Sequence, residues 1–561
     1  LWKYGQIFDI ICFVFYGLRK GVLELKRLAA VFMISVLVIS LFSGCSLPNK
    51  ELALSFPMPD APKSLDPQIA SQKSERLFVR NCFEGLVTVD SDGNIIPGAA
   101  ESYTVSDDSL VYTFKIREDA RWYLTNTARE GLAQILPADF DTRVTAHDFV
   151  FAFRRAVQPQ TACPDSELFL SIKNADKIFK GELDSSELGV EALSDYELRI
   201  ILSHPERNFL INLTNPAFAP CNEVFFNACG GRYGLALKYI ICNGPFILFR
   251  WNTGGSLRLD RNSVYKGERS AVPDIIRLYI NADTASIAEK VHDGDYGAGI
   301  ISSADAASLM SDKKLSLTER TDILWAFVFN SGREPFSFKD MRQAFVAATN
   351  ISELSVPEHF KGHALSPAPE SLTQGIKNPS LIAFDEEAAR SRFKNAQSGA
   401  ELTGFSVLCL KEHEEILKPQ LQQWQKIFGI NFSVSLLPLE LSELKTRVEA
   451  GNYDVALYPV QTDSADIVSY LRGFSIERQD GIYCTEPSYR QAVEALATGR
   501  DGGFEEKAAE LLQTLVDEAV LSPVFSQSRF LAINKSVRGI YFYPSIDDLY
   551  FISATNKKTK E

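Results

Sequence analysis

The residues best suited to chemistry in this 561-residue chain are its carboxylates, six histidines and nine cysteines, and few stand at spacings that build a reactive site. No GxxxxGK[ST], GxSxG, HExxH or GxGxxG occurs. Phosphate-loop, hydrolase-elbow, zinc-protease and dinucleotide chemistries therefore lack the residues their geometry requires. His359 and His363 are four apart, but Pro357 and Gly362 disfavour the helix that would put them on one face, so they read as loop residues and no metal is expected. His147 follows Thr145 at a helix start, where local capping accounts for it. Asp463 and Asp466 follow the apolar run Tyr453–Tyr458. Acids in a polar loop after a strand either bind a ligand or cap the turn, and both readings stand. A carboxylate-pair glycosidase or a peptidase is the enzyme class they would suit, and no cofactor motif accompanies it.

Cys12 and Cys45 lie near the N-terminus, leaving Cys82, Cys163, Cys221, Cys229, Cys242, Cys409 and Cys484. CxxC spacing is absent, which argues against zinc. The seven read as buried free thiols, with one disulfide among Cys221, Cys229 and Cys242 as the alternative.

Lys26-Arg27 precedes an apolar run from Leu28 to Phe42, and Leu41-Phe42-Ser43-Gly44-Cys45 follows. A basic start, a short apolar stretch and small residues at the end make an export signal too short for a full span. The ending resembles a bacterial lipobox, which implies cleavage before Cys45 and a diacylglyceryl group on its thiol. Residues 1–24 read as a misassigned start, with initiation at Leu25. The whole chain carries 58 basic and 71 acidic residues, net −13, and removing residues 1–44 makes this −16. A nucleic-acid partner held by phosphate neutralisation is excluded on that balance.

Several elements must position these groups. Residues 46–64 carry Pro48, Pro57, Pro59 and Pro62 and read as an extended tether. Gly85–Val89 followed by Ser91-Asp92-Gly93-Asn94 predicts a hairpin, and Val144–Asp148 opens a helix capped by Thr145. Periodicity predicts helices over Asp340–Thr349, Ala388–Ala396, His413–Phe428, Glu440–Ala450 and Phe504–Val520. Tyr123–Arg143 reads as a surface loop. Short strands mixed with helices, without a regular β-α alternation, give a mixed α/β fold.

Order along the chain adds a resemblance. Leu65-Asp66-Pro67, Phe83-Glu84-Gly85-Leu86, Pro97–Ser102, Tyr112–Trp122, Val144–Val150, Asn243-Gly244-Pro245-Phe246 and Arg261–Tyr265 follow one another as in the family 5 solute-binding proteins, the oligopeptide-binding components of ABC importers. Asn330, Pro335-Phe336, Asp340, Arg342 and Tyr453–Ala456 continue the likeness.

The resemblance implies a periplasmic-binding-protein-like (type II) fold with two lobes, a hinge and three domains. Residues 65–84, 211–281 and 521–561 would form a discontinuous domain I, residues 85–210 domain II and residues 282–520 domain III. It implies that Asp463 pairs with a peptide's α-ammonium, and that Pro459-Val460-Gln461 and Ser71-Gln72-Lys73 flank the peptide as neighbouring strands. Partners would be a peptide ligand, ABC permease subunits with a separate ATPase, and the bacterial cell membrane, on whose extracytoplasmic face a lipid would anchor a monomer. Pro459-Val460 stands where relatives have Gly-Trp, and Asp463-Ser464 where they have Asp-Tyr, so a backbone donor is missing from the ligand strand. The same fold with a metal chelate, an oligosaccharide or a signalling peptide as cargo is the alternative.

Overall fold

The computed structural model describes residues 51–280, 284–397, 402, 404–429, 433–461, 466–499, 503–543, 545 and 547–556. Asp463 and Cys45 lie outside them. Among the described residues, no helix is long and apolar enough to cross a membrane.

Three sheets organise residues 52–556. The first runs in the order Ala53–Met58, Ile275–Ile280, Ser256–Arg261, Phe246–Asn252, its outer pair parallel and the rest antiparallel. Here the expected tether is corrected, because residues 53–58 form a strand with alternating burial, Phe56 and Met58 pointing inward. Its prolines suggested coil, but an edge strand tolerates proline when the missing N–H faces away from its neighbour. Ser55 sends its carbonyl outward to the Gly297 N–H at 2.8 Å, so Pro57, two residues on, also faces outward.

A second, antiparallel sheet has the order Ala100–Val105, Val111–Ile116, Glu197–Ile201, Val190–Ser194. Helix Ala146–Ala156 packs on it, closed at its start by the Thr145–Asp148 capping box. One hydrophobic core joins these two sheets, including Phe56, Leu278, Phe114 and Leu198, and takes in the chain's far end at Leu549–Ile552. Helix Lys73–Cys82 lies under that returning end. Arg80 pairs with Asp548 at 3.0 Å, and Asn81 holds the Leu549 carbonyl and the Phe551 N–H.

The third sheet has seven strands. Its main order is Ala298–Ile301, Leu521–Asn534, Leu315–Phe329, Val455–Gln461, Gly404–Leu410, Ser433–Leu439, with Gly362–His363 beside Leu521–Asn534. Observed helices Lys339–Ala347, Glu386–Gln397, Glu414–Phe428, Leu441–Glu449 and Phe504–Asp517 match the periodic expectations to within a few residues. They bury a second core around Trp424, Phe345 and Phe405.

Two long strands run between the cores. Leu315–Phe329 and Leu521–Asn534 pair along their length, from the second core at Ile323–Phe329 to a smaller cluster of Leu315, Phe530 and Ala532, and their register shifts between Arg320 and Ile323. Leu521, Val524 and Phe525 belong to the second core and Leu531 to the first. A continuous strand hides such a crossing from sequence, since its apolar pattern does not break. Tyr123–Arg143 is likewise more than a loop. It contains helix Asn126–Gly131, capped by Thr125, and Phe140 packs on Phe225.

Candidate functional site

Val455–Gln461 is the strand from which the site is built. On one side it pairs without interruption with Leu315–Phe329, setting Ile323 opposite Gln461 and Trp325 opposite Pro459. On the other it meets Gly404–Leu410 only through Val455 and Ala456. From Leu457 onward that second edge has no strand partner among the described residues.

Direction follows from the ladder. The Asn330 N–H donates to the Asp454 carbonyl at 3.1 Å, which fixes the alternation of an antiparallel pair. Counting along the unbroken register, Leu457, Pro459 and Gln461 turn their peptide groups to the open edge. Pro459 thus gives up its donor where no ladder bond is lost, and its carbonyl still faces outward.

A cavity of about 390 Å³ adjoins this strand, lined by Tyr458, Pro459, Val460 and Gln461, by Tyr470 and Arg478, and by Glu167 from the other core's side. Burial, with help from nearby Glu449 and Asp480, pushes the Tyr458 hydroxyl up to about 12. The two halves also touch directly: Arg472 reaches Glu206 at 3.1 Å, and the Arg207 N–H donates to the Ala497 carbonyl at 2.9 Å.

Ser71-Gln72-Lys73 is only partly as expected. Gln72 is extended, but Lys73 opens helix Lys73–Cys82. The Ser71 and Gln72 N–H groups donate to the Glu75 carboxylate at 2.9 and 3.0 Å, so neither is available to pair with a ligand strand. The N3 glutamate wins because a helix start leaves donors that a carboxylate satisfies well.

Lys73 nevertheless connects the two segments. Its ammonium pairs with Asp547 at 2.7 Å, Asp547 with Arg529 at 2.7 Å, and Arg529 with Asp322 through Nε at 3.0 Å. Asp322 adjoins Ile323, the partner of Gln461. Burial works against the Asp547 charge, yet Arg529 and Lys73 hold its carboxyl below the usual range. Beside them, burial lowers the Arg320 guanidinium, opposed by Asp322 and reinforced by Arg529. Nothing local marks Asp547 as a partner of Lys73; the one readable signal was charge at Arg320, Asp322 and Arg529 inside otherwise strand-forming runs.

Asp466 caps helix Ile467–Arg472, accepting from the Val468 and Ser469 N–H groups at 2.8 and 3.1 Å, which is the turn-capping alternative. His363 hydrogen-bonds the Leu354 carbonyl at 3.0 Å. No cluster among the described residues could hold a metal ion. Cys221, Cys229 and Cys242 are not one another's partners: Cys221 lies 3.6 Å from Arg155 Nη1, Cys229 points at the Tyr239 carbonyl, and Cys242 faces Cys82.

Two halves joined by crossing strands, with a cavity and an open strand edge between them, define a two-lobed solute-binding architecture. A sequence model of the bacterial extracellular solute-binding proteins, family 5, matches residues 94–481, and the chain belongs to that family. The dipeptide-binding protein DppE of Bacillus subtilis (strain 168) is 22% identical over 86% of this chain and 88% of its own. The periplasmic oligopeptide-binding protein OppA of Haemophilus influenzae is 24% identical over 87% and 91%. Among solved structures, peptide-bound OppA of Listeria monocytogenes superposes with a TM-score of 0.72 at 22% identity, covering 90% of this chain and 99% of that one. The substrate-binding domain of an oligopeptide ABC transporter from Bacillus anthracis gives 0.72 at 21%, covering 90% and 100%. The fold is the mixed α/β one of these binding proteins.

Proposed function

We propose that this chain is the extracytoplasmic receptor of an ABC importer. It takes a peptide between its halves, pairs the peptide's main chain with the open edge at Leu457–Gln461, and delivers it to a permease driven by a separate ATPase. One observation carries the reading: the edge is unpaired and its peptide groups turn outward where a cavity lies between the halves. The names of the relatives support the cargo class.

In this reading Asp463, two residues past the strand, pairs with the ligand's α-ammonium. Main-chain recognition tolerates varied side chains, and the charge pair sets direction. The protein does no covalent chemistry itself. Cys45 carries the lipid that holds it, as a monomer, on the outer face of the bacterial membrane, with three domains closing around the long strands. A second reading keeps the fold and changes the cargo to a signalling peptide or a non-peptide solute. The absent Pro459 donor and the Ser71 and Gln72 donors already taken by Glu75 favour it.

The experiment is a peptide mixture incubated with the chain from Ser46 onward and read by mass spectrometry. Intact bound peptides are the expected result. Hydrolysed peptides would make the protein an enzyme, and no retained peptide would point to the second reading.

A further inference from the structure

Seven described cysteines are thiols in this structure, and six of them are buried. One pair stands apart. The Cys82 and Cys242 side chains are neighbours close enough to act on each other, at 0% and 2% exposure, although they lie far apart in sequence. Three independent contacts hold their backbones together. The Gly244 N–H donates to the Cys82 carbonyl at 2.9 Å, and the Asn243 side chain brackets residue 84, accepting from its N–H at 3.0 Å and donating to its carbonyl at 2.8 Å. The approach is so close that a Cβ on Gly244 would stand 2.7 Å from the Cys82 carbonyl carbon.

We propose that Cys82 and Cys242 form a disulfide in the exported protein. Each thiol gives up its proton, the sulfurs join, and the electron pair passes to an oxidised thiol–disulfide carrier of the extracytoplasmic space, which leaves as its dithiol. The family is extracellular, so the chain works where such bonds persist. The bond would tie the last residue of helix Lys73–Cys82, whose first turn presents Lys73, to the segment leading into strand Phe246–Asn252. Burial raises both the thiol's exclusion from solvent and its resistance to ionisation, so the exchange takes place while the chain folds, when the sulfurs are open to the carrier.

The other five cysteines offer no such partner. Cys221 is occupied by Arg155, Cys229 by the Tyr239 carbonyl, and Cys163, Cys409 and Cys484 have no cysteine among the groups that act on them.

The test is alkylation of the exported protein in denaturant, followed by digestion without reduction and mass spectrometry. A joined Cys82–Cys242 peptide two hydrogens lighter than its parts is expected, with the other five cysteines alkylated. Alkylation of both Cys82 and Cys242, or linkage of either to a different cysteine, overturns the proposal. In Cys242→Ser, the same procedure should find Cys82 alkylated; a Cys82 that stays blocked by another cysteine also overturns it. Peptide binding is not needed for either readout.

Discussion

Two unpaired backbone edges of this protein carry an outward-facing proline: Ala53–Met58 ends its sheet, and Val455–Gln461, inside its sheet, loses its second neighbour beyond Ala456. Ala53–Met58 is closed from outside: Gly297 takes the Ser55 carbonyl, and Gly299, with no side chain, lets Pro57 approach, since a Cβ there would be 3.2 Å from the proline ring. Val455–Gln461 has no such cover beyond Ala456, and its burial falls away to an exposed Gln461. The same residue type thus serves two ends. At the covered edge proline removes a donor that has no role; at the open one it removes a donor that a guest strand could have used. An uncovered edge is a liability unless something is meant to fill it, and the proposed peptide site rests on that difference.

The largest effect expected is on the ligand's charged end. Asp463→Asn should weaken peptides with a free N-terminus by ~100-fold or more, as for loss of one partner of a buried ion pair, and leave acetylated peptides nearly unchanged. Calorimetric titration of both peptide forms checks this. Equal losses would remove the carboxylate from the site.

Next comes the ion-pair chain beneath the open edge. Arg529→Met leaves Asp322 and Asp547 buried without their shared cation, and should cost about 3 kcal/mol of stability in denaturant unfolding. Lys73→Met, at the half-exposed end of the chain, should cost about 1 kcal/mol or less. Similar costs for the two would mean the chain does not act through its buried centre.

A third effect is on pH. His413 packs edge-on against Trp325, the residue opposite Pro459, with ring centroids 4.7 Å apart, and neither ring nitrogen has a hydrogen-bond partner. Burial pushes its imidazole down to about 4. The unfolded chain binds a proton below the ordinary value of about 6.5 while the folded one refuses it until about 4, so stability falls as pH drops through that window, by roughly 1.4 kcal/mol per unit. His413→Phe should flatten that part of the pH–stability curve; an unchanged slope would assign the loss elsewhere.

The smallest effect is at the two prolines. Pro459→Ala restores an outward N–H and should tighten peptide binding by about 1 kcal/mol, the net worth of one hydrogen bond. Pro57→Ala should leave binding unchanged.

Much of the scaffold was legible because it is local. Five of the helices between Lys339 and Asp517 follow from apolar periodicity, and the turn after Val87–Val89 from Asp-Gly behind an alternating run, whereas helices Ile467–Arg472 and Pro487–Thr498 and the return strand Ile95–Pro97 were not read. Pro459, Val460 and Gln461 as candidate ligand residues came from the resemblance alone. What was hidden is what depends on distant partners. Lys73 meets Asp547, Cys82 meets Cys242, and Leu521–Asn534 crosses between cores, none of which leaves a mark in nearby residues. Proline misled at residue 57 because its usual exclusion from sheets does not hold at an edge.

The central claim is that a peptide's main chain fills the edge beyond Ala456. Residue-resolved amide hydrogen exchange tests it most directly, on Leu457 and Gln461, with and without bound peptide. Fast exchange of both amides is expected in the free protein and clear protection of both in the complex, while Val460, already bonded toward Leu324, changes little. Peptide binding that leaves Leu457 and Gln461 exchanging at their free rates would contradict it.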